Sequence, residues 1–314
     1  MRSKALLITV ALVCLLLTGC GNSITTNEYI DLSGTVSADG KAEKTVDVTV
    51  FYKDDYGYIV PVVANIPWSE GIAKAVIRKM MSSPELQREL VIMGLESLMP
   101  SDAVLNGIDI SNGLAKIDFK SDKLTFDNKQ DEELFVKGVV LALTAFPTVD
   151  TVQFMFNGHV IDTLPKGTPV GSALKATDVN ARGEELGEAV TVYYHGKSNT
   201  NFDYCVPVTV YMNAPTCQKA IDYMLTKDFP QLTTGIPQGT KLLEIEQIGD
   251  TVCLFFSEEF RALAETPEVE AEVIRGLSLV CGGFYKFSDM KIYAGSGEYL
   301  PQNGIEVSVN ANVM

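Results

Sequence analysis

Two stretches of the chain repeat the same order of apolar and polar positions. Val46–Tyr52 and Val190–Tyr194 both alternate apolar with polar residues, a period that is typical of a half-buried β-strand. A polar turn follows each of them, and the same triplet then occurs in both copies, as Val60-Pro61-Val62 and as Val206-Pro207-Val208. Because proline has no N–H to donate to a neighbouring strand, this second strand is predicted at a sheet edge in each copy.

A helix with one apolar face is predicted after each triplet. In the first copy Ser69 is the predicted N-cap, and in the second copy the helix is predicted to begin at Pro215-Thr216. The first copy then has an inserted second helix, with Ser83 as its N-cap and an expected end near Glu96. The second copy has only a short loop there. The apolar faces consist of Ala73, Val76, Ile77 and Met80, and of Ala220, Ile221, Met224 and Leu225.

The remaining elements also correspond. A β-hairpin is predicted in each copy, around Asn112-Gly113 and around Gly249-Asp250, because such glycine-containing pairs favour tight turns. A further helix follows in each copy, with Lys137-Gly138 matching Arg275-Gly276, and then a final strand. The face of this helix repeats at intervals of four, three and four residues, as Phe135, Val139, Ala142 and Phe146, and as Val273, Leu277, Val280 and Phe284.

The repeat predicts an α+β fold made of two tandem β-β-α-β-β-α-β domains, each with its helices packed on one face of a mixed sheet. The first domain is expected over residues 45–165 and the second over residues 189–314. A linker is expected over residues 166–188. The first 19 residues are read as a signal peptide, and residues 20–44 as a flexible spacer rich in polar residues.

The N-terminus predicts export and lipid anchoring. Arg2 and Lys4 precede an apolar run over Ala5–Leu17, which is short for a transmembrane helix and typical of a signal peptide. The run ends in Leu17-Thr18-Gly19-Cys20, which resembles the bacterial lipobox. That resemblance implies that Cys20 becomes the first mature residue and carries acyl chains, which would hold the protein at the outer side of a cell membrane.

Charge and cysteine content narrow the classes of partner. The formal net charge of −15 at pH 7 argues against nucleic acid, whose phosphates would repel the chain. It provides solubility, or attracts a basic partner. Cys205, Cys217, Cys253 and Cys281 all lie in the second copy. They are interpreted as small core residues, with one disulfide possible outside the cytoplasm. No zinc site is predicted, because none of them has metal-binding spacing.

No pattern of catalytic residues is recognised. His159 and His195 lie at non-equivalent places in the two copies, and the acidic clusters are interpreted as helix starts. We therefore expect no enzyme activity, cofactor or metal. Tyrosines cluster around the first turn of each copy. They are either the outer face of an edge strand or a surface that anchors a protein partner or glycan. The candidate partner surface comprises Tyr52, Tyr56, Tyr58, Tyr193, Tyr194 and Tyr204.

With these features together, the chain over roughly residues 46–314 resembles the GerM-domain family of sporulation and spore-germination lipoproteins. The resemblance lies in the order and duplication of the Val-Pro-Val triplets, the hairpins and the Lys/Arg-Gly helices. It implies a non-enzymatic role in envelope assembly during sporulation or germination, through contacts with other envelope or sporulation proteins. The alternative is a lipoprotein that binds a soluble ligand or peptidoglycan in a groove between the domains, near residues 165–188.

Overall fold

A computed structural model describes residues 34–36, 42–120, 122, 124–307 and 312. The signal peptide, the lipobox and Cys20 therefore lie outside the described residues. Two α+β domains follow one another along the chain, as the repeat predicts. None of the helices in the described part of the chain is long and apolar enough to cross a membrane.

The first domain begins with an antiparallel hairpin and ends with a parallel strand pair. Its helices are α1 (Ile72–Met80), α2 (Pro84–Met93) and α3 (Lys129–Thr144). Its strands are β1 (Gly34–Val36), β2 (Ala42–Asp54), β3 (Ile59–Pro67), β4 (Leu95–Ser97), β5 (Leu105–Ser111), β6 (Gly113–Phe119) and β7 (Val149–Phe156).

The second domain repeats this order. Its helices are α4 (Cys217–Thr226) and α5 (Pro267–Gly282), with a 3₁₀ helix over Glu258–Glu265 between them. Its strands are β8 (Glu188–Lys197), β9 (Asp203–Met212), β10 (Leu232–Thr233), β11 (Leu242–Ile248), β12 (Thr251–Phe256), β13 (Asp289–Ala294) and β14 (Gly297–Tyr299).

The strands of each domain form two sheets rather than the single mixed sheet that the repeat predicts. In the first domain β2 pairs with β1, β3 and β4, while β5, β6 and β7 form a separate sheet in which β6 and β7 are parallel. In the second domain the sheets have the orders β10-β8-β9 and β11-β12-β13-β14. The reason is that α3 is apolar on more than one side. It packs on both β7 and β2, which belong to different sheets, so each sheet covers one apolar side of the helix.

Several local predictions are confirmed. Asn112 and Gly113 both adopt positive φ angles, of 51° and 77°, which a two-residue hairpin turn requires. Ser83 caps α2 through its Oγ, which accepts a hydrogen bond from the N–H of Leu86 at 3.1 Å. The proline-containing strands β3 and β9 lie at sheet edges, as their missing N–H groups require.

Three local predictions are wrong. Helix α1 has Gly71 at its N-cap rather than Ser69. Helix α2 ends at Met93, because Gly94 adopts the left-handed conformation that stops a helix; the residues up to Glu96 belong to strand β4 instead. The expected flexible spacer includes β1, whose backbone pairs with the start of β2.

The repeated glycines let a helix approach a neighbouring element closely. A Cβ on Gly138 of α3 would lie 2.3 Å from Cδ1 of Leu98, a side chain that is buried. A Cβ on Gly276 of α5 would lie 3.3 Å from Cβ of Tyr193 on β8. The match between Lys137-Gly138 and Arg275-Gly276 therefore marks a packing requirement in both domains.

Candidate functional site

The two proline-containing edge strands, β3 and β9, face each other and form the joint between the domains. Prolines at equivalent positions, Pro61 and Pro207, cannot donate a hydrogen bond to a strand on the other side. Asparagine side chains take over this bonding from two segments outside the repeats: Asn180 of the linker and Asn312 near the C-terminus.

Asn180 joins the linker to both domains. Its Oδ1 accepts from the N–H of Ile59 at 2.8 Å, and its Nδ2 donates to the carbonyls of Ile59 and Pro207, both at 2.8 Å. The residue has a positive φ of 50°, a conformation that asparagine tolerates better than most residues. The backbone next to it continues the bonding, since the N–H of Thr209 donates to the carbonyl of Val179 at 2.9 Å. The linker is thus fixed along the edge of β9.

Asn312 makes the same contacts with the domains exchanged. Its Oδ1 accepts from the N–H of Cys205 at 2.7 Å, and its Nδ2 donates to the carbonyls of Cys205 and Pro61, both at 2.8 Å. Its own carbonyl accepts from the N–H of Val63 at 2.8 Å. The position is buried. The joint therefore has an approximate twofold relation between the two copies.

Two of the predicted surface tyrosines reach across this joint. Tyr58 donates from its hydroxyl to the carbonyl of Pro230 in the second domain at 2.9 Å. Tyr204, at the equivalent place in the second copy, donates to Oδ2 of Asp54 in the first domain at 2.9 Å. Burial raises the pKa of the Asp54 carboxyl, and the N–H groups of Tyr58 and Tyr56 and the Tyr204 hydroxyl oppose that rise by bonding to it. Burial and the nearby Asp54 raise the pKa of the Tyr204 hydroxyl.

The predicted tyrosine surface is largely inside the protein. Tyr52, Tyr58, Tyr194 and Tyr204 are buried and Tyr193 is partly buried. Tyr56 alone among the six is exposed, with 43% of its surface accessible. The structure corrects the interpretation of an exposed cluster. Docking of the two domains covers Tyr58 and Tyr204, whereas Tyr52 and Tyr193 contact helices of their own domains. These tyrosines therefore pack in the domain cores or contact the other domain, rather than form one exposed surface.

A buried glutamate in each domain, which the sequence pattern alone did not single out, holds the segment after the last parallel strand. Glu132 of α3 accepts from the backbone N–H groups of Lys166 at 2.7 Å and of Thr168 at 2.9 Å. Glu270 of α5 accepts from the Tyr299 hydroxyl and from the N–H of Gln302. The repeat itself carried the signal, because both glutamates precede the matched Lys/Arg-Gly pair by five residues.

A second cluster of charged side chains lies between α5 and the hairpin of β8 and β9. Nε2 of His195 is 2.6 Å from Oδ1 of Asp203, and both side chains are mostly buried. On the helix, the Arg275 guanidinium contacts the Glu272 carboxylate at 2.9 Å and 3.1 Å. The pKa of Glu272 is raised to about 7. Burial and the nearby Asp203 raise this pKa, and Arg275 opposes the rise. His159, in contrast, is exposed.

Two surface cavities lie among the described residues of the first domain. One, of about 250 Å³, lies between β4, the loop after it and the start of α3; Lys53 there bonds to Asp131 at 2.7 Å. The other is a shallow depression of about 320 Å³ over β5 and β6. Residues 165–188 line neither of these two cavities. Within the described ranges no three His, Cys, Asp or Glu side chains group closely enough to hold a metal ion.

Among the described residues, one end strand of the small mixed sheet in each domain, β5 or β11, pairs with another strand on one side only. Strand β5 ends the first of these sheets and β11 ends the second, and the two strands are equivalent in the repeat. Strand β11 also exposes large apolar side chains, including Ile248 at 64%. Unpaired edges of this kind present backbone N–H and C=O groups that another chain can pair with.

Comparison with known proteins agrees with this architecture. Residues 49–162 match the family described as "Germane: Sporulation and spore germination". The spore germination protein GerM of Bacillus subtilis (strain 168) is 31% identical over 185 residues, which are 56% of this chain and 49% of that protein. The chain thus spans about half the length of this relative. The solved tandem GerMN domains of the sporulation protein GerM from Bacillus subtilis superpose with a TM-score of 0.64 at 22% identity, over 86% of this chain and 99% of that structure.

Proposed function

Since this chain belongs to the GerM-domain family, we propose that it acts in sporulation or spore germination as a lipid-anchored protein that binds other envelope proteins and catalyses no reaction. The family description and the name of the curated relative both point to sporulation or germination. The family match lies entirely within the first domain, because residues 49–162 run from β2 to the turn after β7.

The observation that supports a binding role is the pair of equivalent open edges, β5 and β11. An extended segment of a partner can add to such an edge through main-chain hydrogen bonds, and apolar side chains nearby add affinity. Ile110 on β5 and Ile248 on β11 are exposed next to these edges. The fixed joint holds the two edges in one relative orientation, so that both can engage one assembly.

Anchoring rests on the N-terminal sequence. The positive residues, the apolar run and the Cys20 motif together support processing by a lipoprotein signal peptidase. Acyl chains on Cys20 would contribute roughly 0.8 kcal/mol per buried methylene to membrane attachment. A Cys20→Ala variant is expected in the soluble fraction of sporulating cells; its full retention in the membrane fraction would refute anchoring.

Affinity purification of a tagged chain from sporulating cells tests the binding role. We expect other sporulation envelope proteins to co-purify with it, and Ile110→Lys and Ile248→Lys to reduce their recovery. A matched control is Val91→Lys on α2, a position that is 66% exposed and lies away from both edges. Association with vegetative cell wall alone, or unchanged recovery with both edge variants, would contradict the proposal.

A further inference from the structure

Two of the four buried cysteines of the second domain are in contact. Cys217 is the first residue of α4 and Cys281 lies in the last turn of α5. Their sulfur atoms are 3.6 Å apart, and the side chains are 2% and 0% exposed. We propose that Cys217 and Cys281 are a modification site, at which oxidation forms a disulfide that joins α4 to α5. The reaction in the cell rests on the proposed location outside the cytoplasm.

The geometry suits this bond. A disulfide has its sulfur atoms about 2.05 Å apart, so the two thiols have to approach by roughly 1.5 Å, which side-chain rotation and a small helix shift supply. The helices already pack against each other. Cys205 and Cys253 lie elsewhere: the sulfur of Cys205 faces Gly276 in the middle of α5, and Cys253 is on β12. The structure therefore favours one pairing among the possible ones.

The reaction is a pair of thiol–disulfide exchanges. The oxidant is an external disulfide, either a low-molecular-weight one such as oxidised glutathione or that of an envelope oxidoreductase. One cysteine thiolate attacks it and forms a mixed disulfide, releasing one thiol of the oxidant. The second cysteine thiolate attacks the mixed disulfide, forms the Cys217–Cys281 bond and releases the other thiol. The two cysteines lose two protons and two electrons, and the oxidant takes up both.

Bond formation should accompany folding rather than follow it. The contact with Cys217, together with burial, raises the pKa of the Cys281 thiol well above its ordinary value. Since the thiolate is the attacking species, the folded, reduced protein will react slowly. While α4 docks onto α5, both thiols are still accessible to the oxidant and already close to each other.

The expected consequence is a more stable second domain. The two cysteines are 64 residues apart in sequence, and a crosslink that closes a loop of this length restricts the unfolded chain. We expect the melting temperature of the second domain to rise by roughly 10 °C on oxidation. The first domain contains no cysteine, so a change in its melting temperature should be smaller than that of the second domain and should arise only through the joint.

The test uses the full chain, purified in detergent, reduced, unfolded and refolded in a glutathione redox buffer. Alkylation and peptide mass mapping should find Cys217 linked to Cys281, with Cys205 and Cys253 alkylated. Cys217→Ala should remove both the crosslink and the dependence of the melting temperature on reductant, whereas Cys253→Ala should keep both. Refolded wild-type protein with alkylated Cys217 and Cys281, or with a different pairing, would overturn the proposal.

Alkylation in intact cells separates this inference from the proposed location. A disulfide both in refolded protein and in cells supports the modification and an oxidising compartment. A disulfide in refolded protein together with free Cys217 and Cys281 in cells would overturn the cellular part of the proposal and point against an extracytoplasmic address. Membrane release of Cys20→Ala provides the independent test of that address.

Discussion

Asn180 and Asn312 make equivalent hydrogen bonds from opposite sides of the joint between the two domains. Each side chain accepts from one backbone N–H and donates to two carbonyls, one in each domain, at 2.7 to 2.8 Å. Pro61 and Pro207 provide carbonyl acceptors but no donors at this edge. The two asparagine side chains thus join strands that cannot form a ladder directly.

Asn312→Ala should loosen the joint. The variant leaves the N–H of Cys205 and the carbonyls of Cys205 and Pro61 without their partner, at an expected cost of about 2 to 3 kcal/mol. Calorimetry should show the two domains melting more independently, and hydrogen exchange at Cys205 should accelerate. Asn303→Ala, at an exposed position, is the control. An unchanged melting profile would contradict the bridging role.

Glu132→Ala should destabilise the first domain by about 3 kcal/mol, because it removes a buried acceptor shared by two backbone N–H groups. Urea unfolding measures the loss. Glu133→Ala removes a neighbouring carboxylate that is half-exposed and forms a surface ion pair with Lys129 at 3.6 Å, and it should change stability by less than about 1 kcal/mol. Equal effects of the two substitutions would mean that burial of Glu132 is not the reason for its role.

The stability of the second domain should fall as the pH rises from 4.5 to 7, because of Glu272. Its pKa is about 7 in the folded protein, against an ordinary value of 4.5, so the folded state binds the proton more tightly than the unfolded state. This stabilisation is complete below pH 4.5 and is lost as the pH rises through 7. We expect a fall of about 1 to 3 kcal/mol across that window.

Urea unfolding from pH 4 to 8 measures this dependence. Glu272→Gln should flatten the profile, since the amide does not titrate, whereas Glu268→Gln, at an exposed position on the same helix, should leave it unchanged. A wild-type profile that coincides with that of Glu272→Gln between pH 5 and 7 would show that Glu272 has an ordinary pKa.

Gly138→Ala should destabilise the first domain, although alanine favours a helix by up to about 1 kcal/mol over glycine. The new Cβ would meet Leu98 at 2.3 Å, and overpacking of this kind costs about 1 to 3 kcal/mol. Gly276→Ala is the matched variant in the second domain, where the nearest atom lies at 3.3 Å, and it should cost less. Thermal unfolding compares the two; a larger loss for Gly276→Ala would refute the packing argument.

The elements that the sequence predicts well are those encoded by local pattern. The triplets at Pro61 and Pro207 identify the edge strands, and Asn112-Gly113 identifies the hairpin, because backbone chemistry alone requires these residues there. The division of each domain into two sheets was harder to predict from the sequence. The one indication is that Val136 and Val140 of α3, which are both buried, are apolar. They extend its apolar surface beyond the face that the repeat emphasises.

The joint could not be predicted, because it depends on segments outside the repeated pattern. Asn180 lies in a polar stretch with no periodicity, and the alternation of apolar and polar residues around Asn312 does not indicate what its side chain bonds to. The partners of both side chains are backbone atoms that only the docked domains bring together. The same docking buries Tyr58 and Tyr204, which local pattern alone placed at exposed turns. Glu132 and Glu270, in contrast, could have been identified by aligning the two repeats.

The exchange of roles in the joint has an evolutionary consequence. Contacts in which Asn180 bonds to Ile59 and Pro207, while Asn312 bonds to Cys205 and Pro61, are those of an isologous interface, in which two identical subunits use the same surface. A single-domain ancestor with such an edge would pair with itself. Gene duplication and fusion then turn a concentration-dependent dimer into an intramolecular contact, and leave the two halves free to diverge.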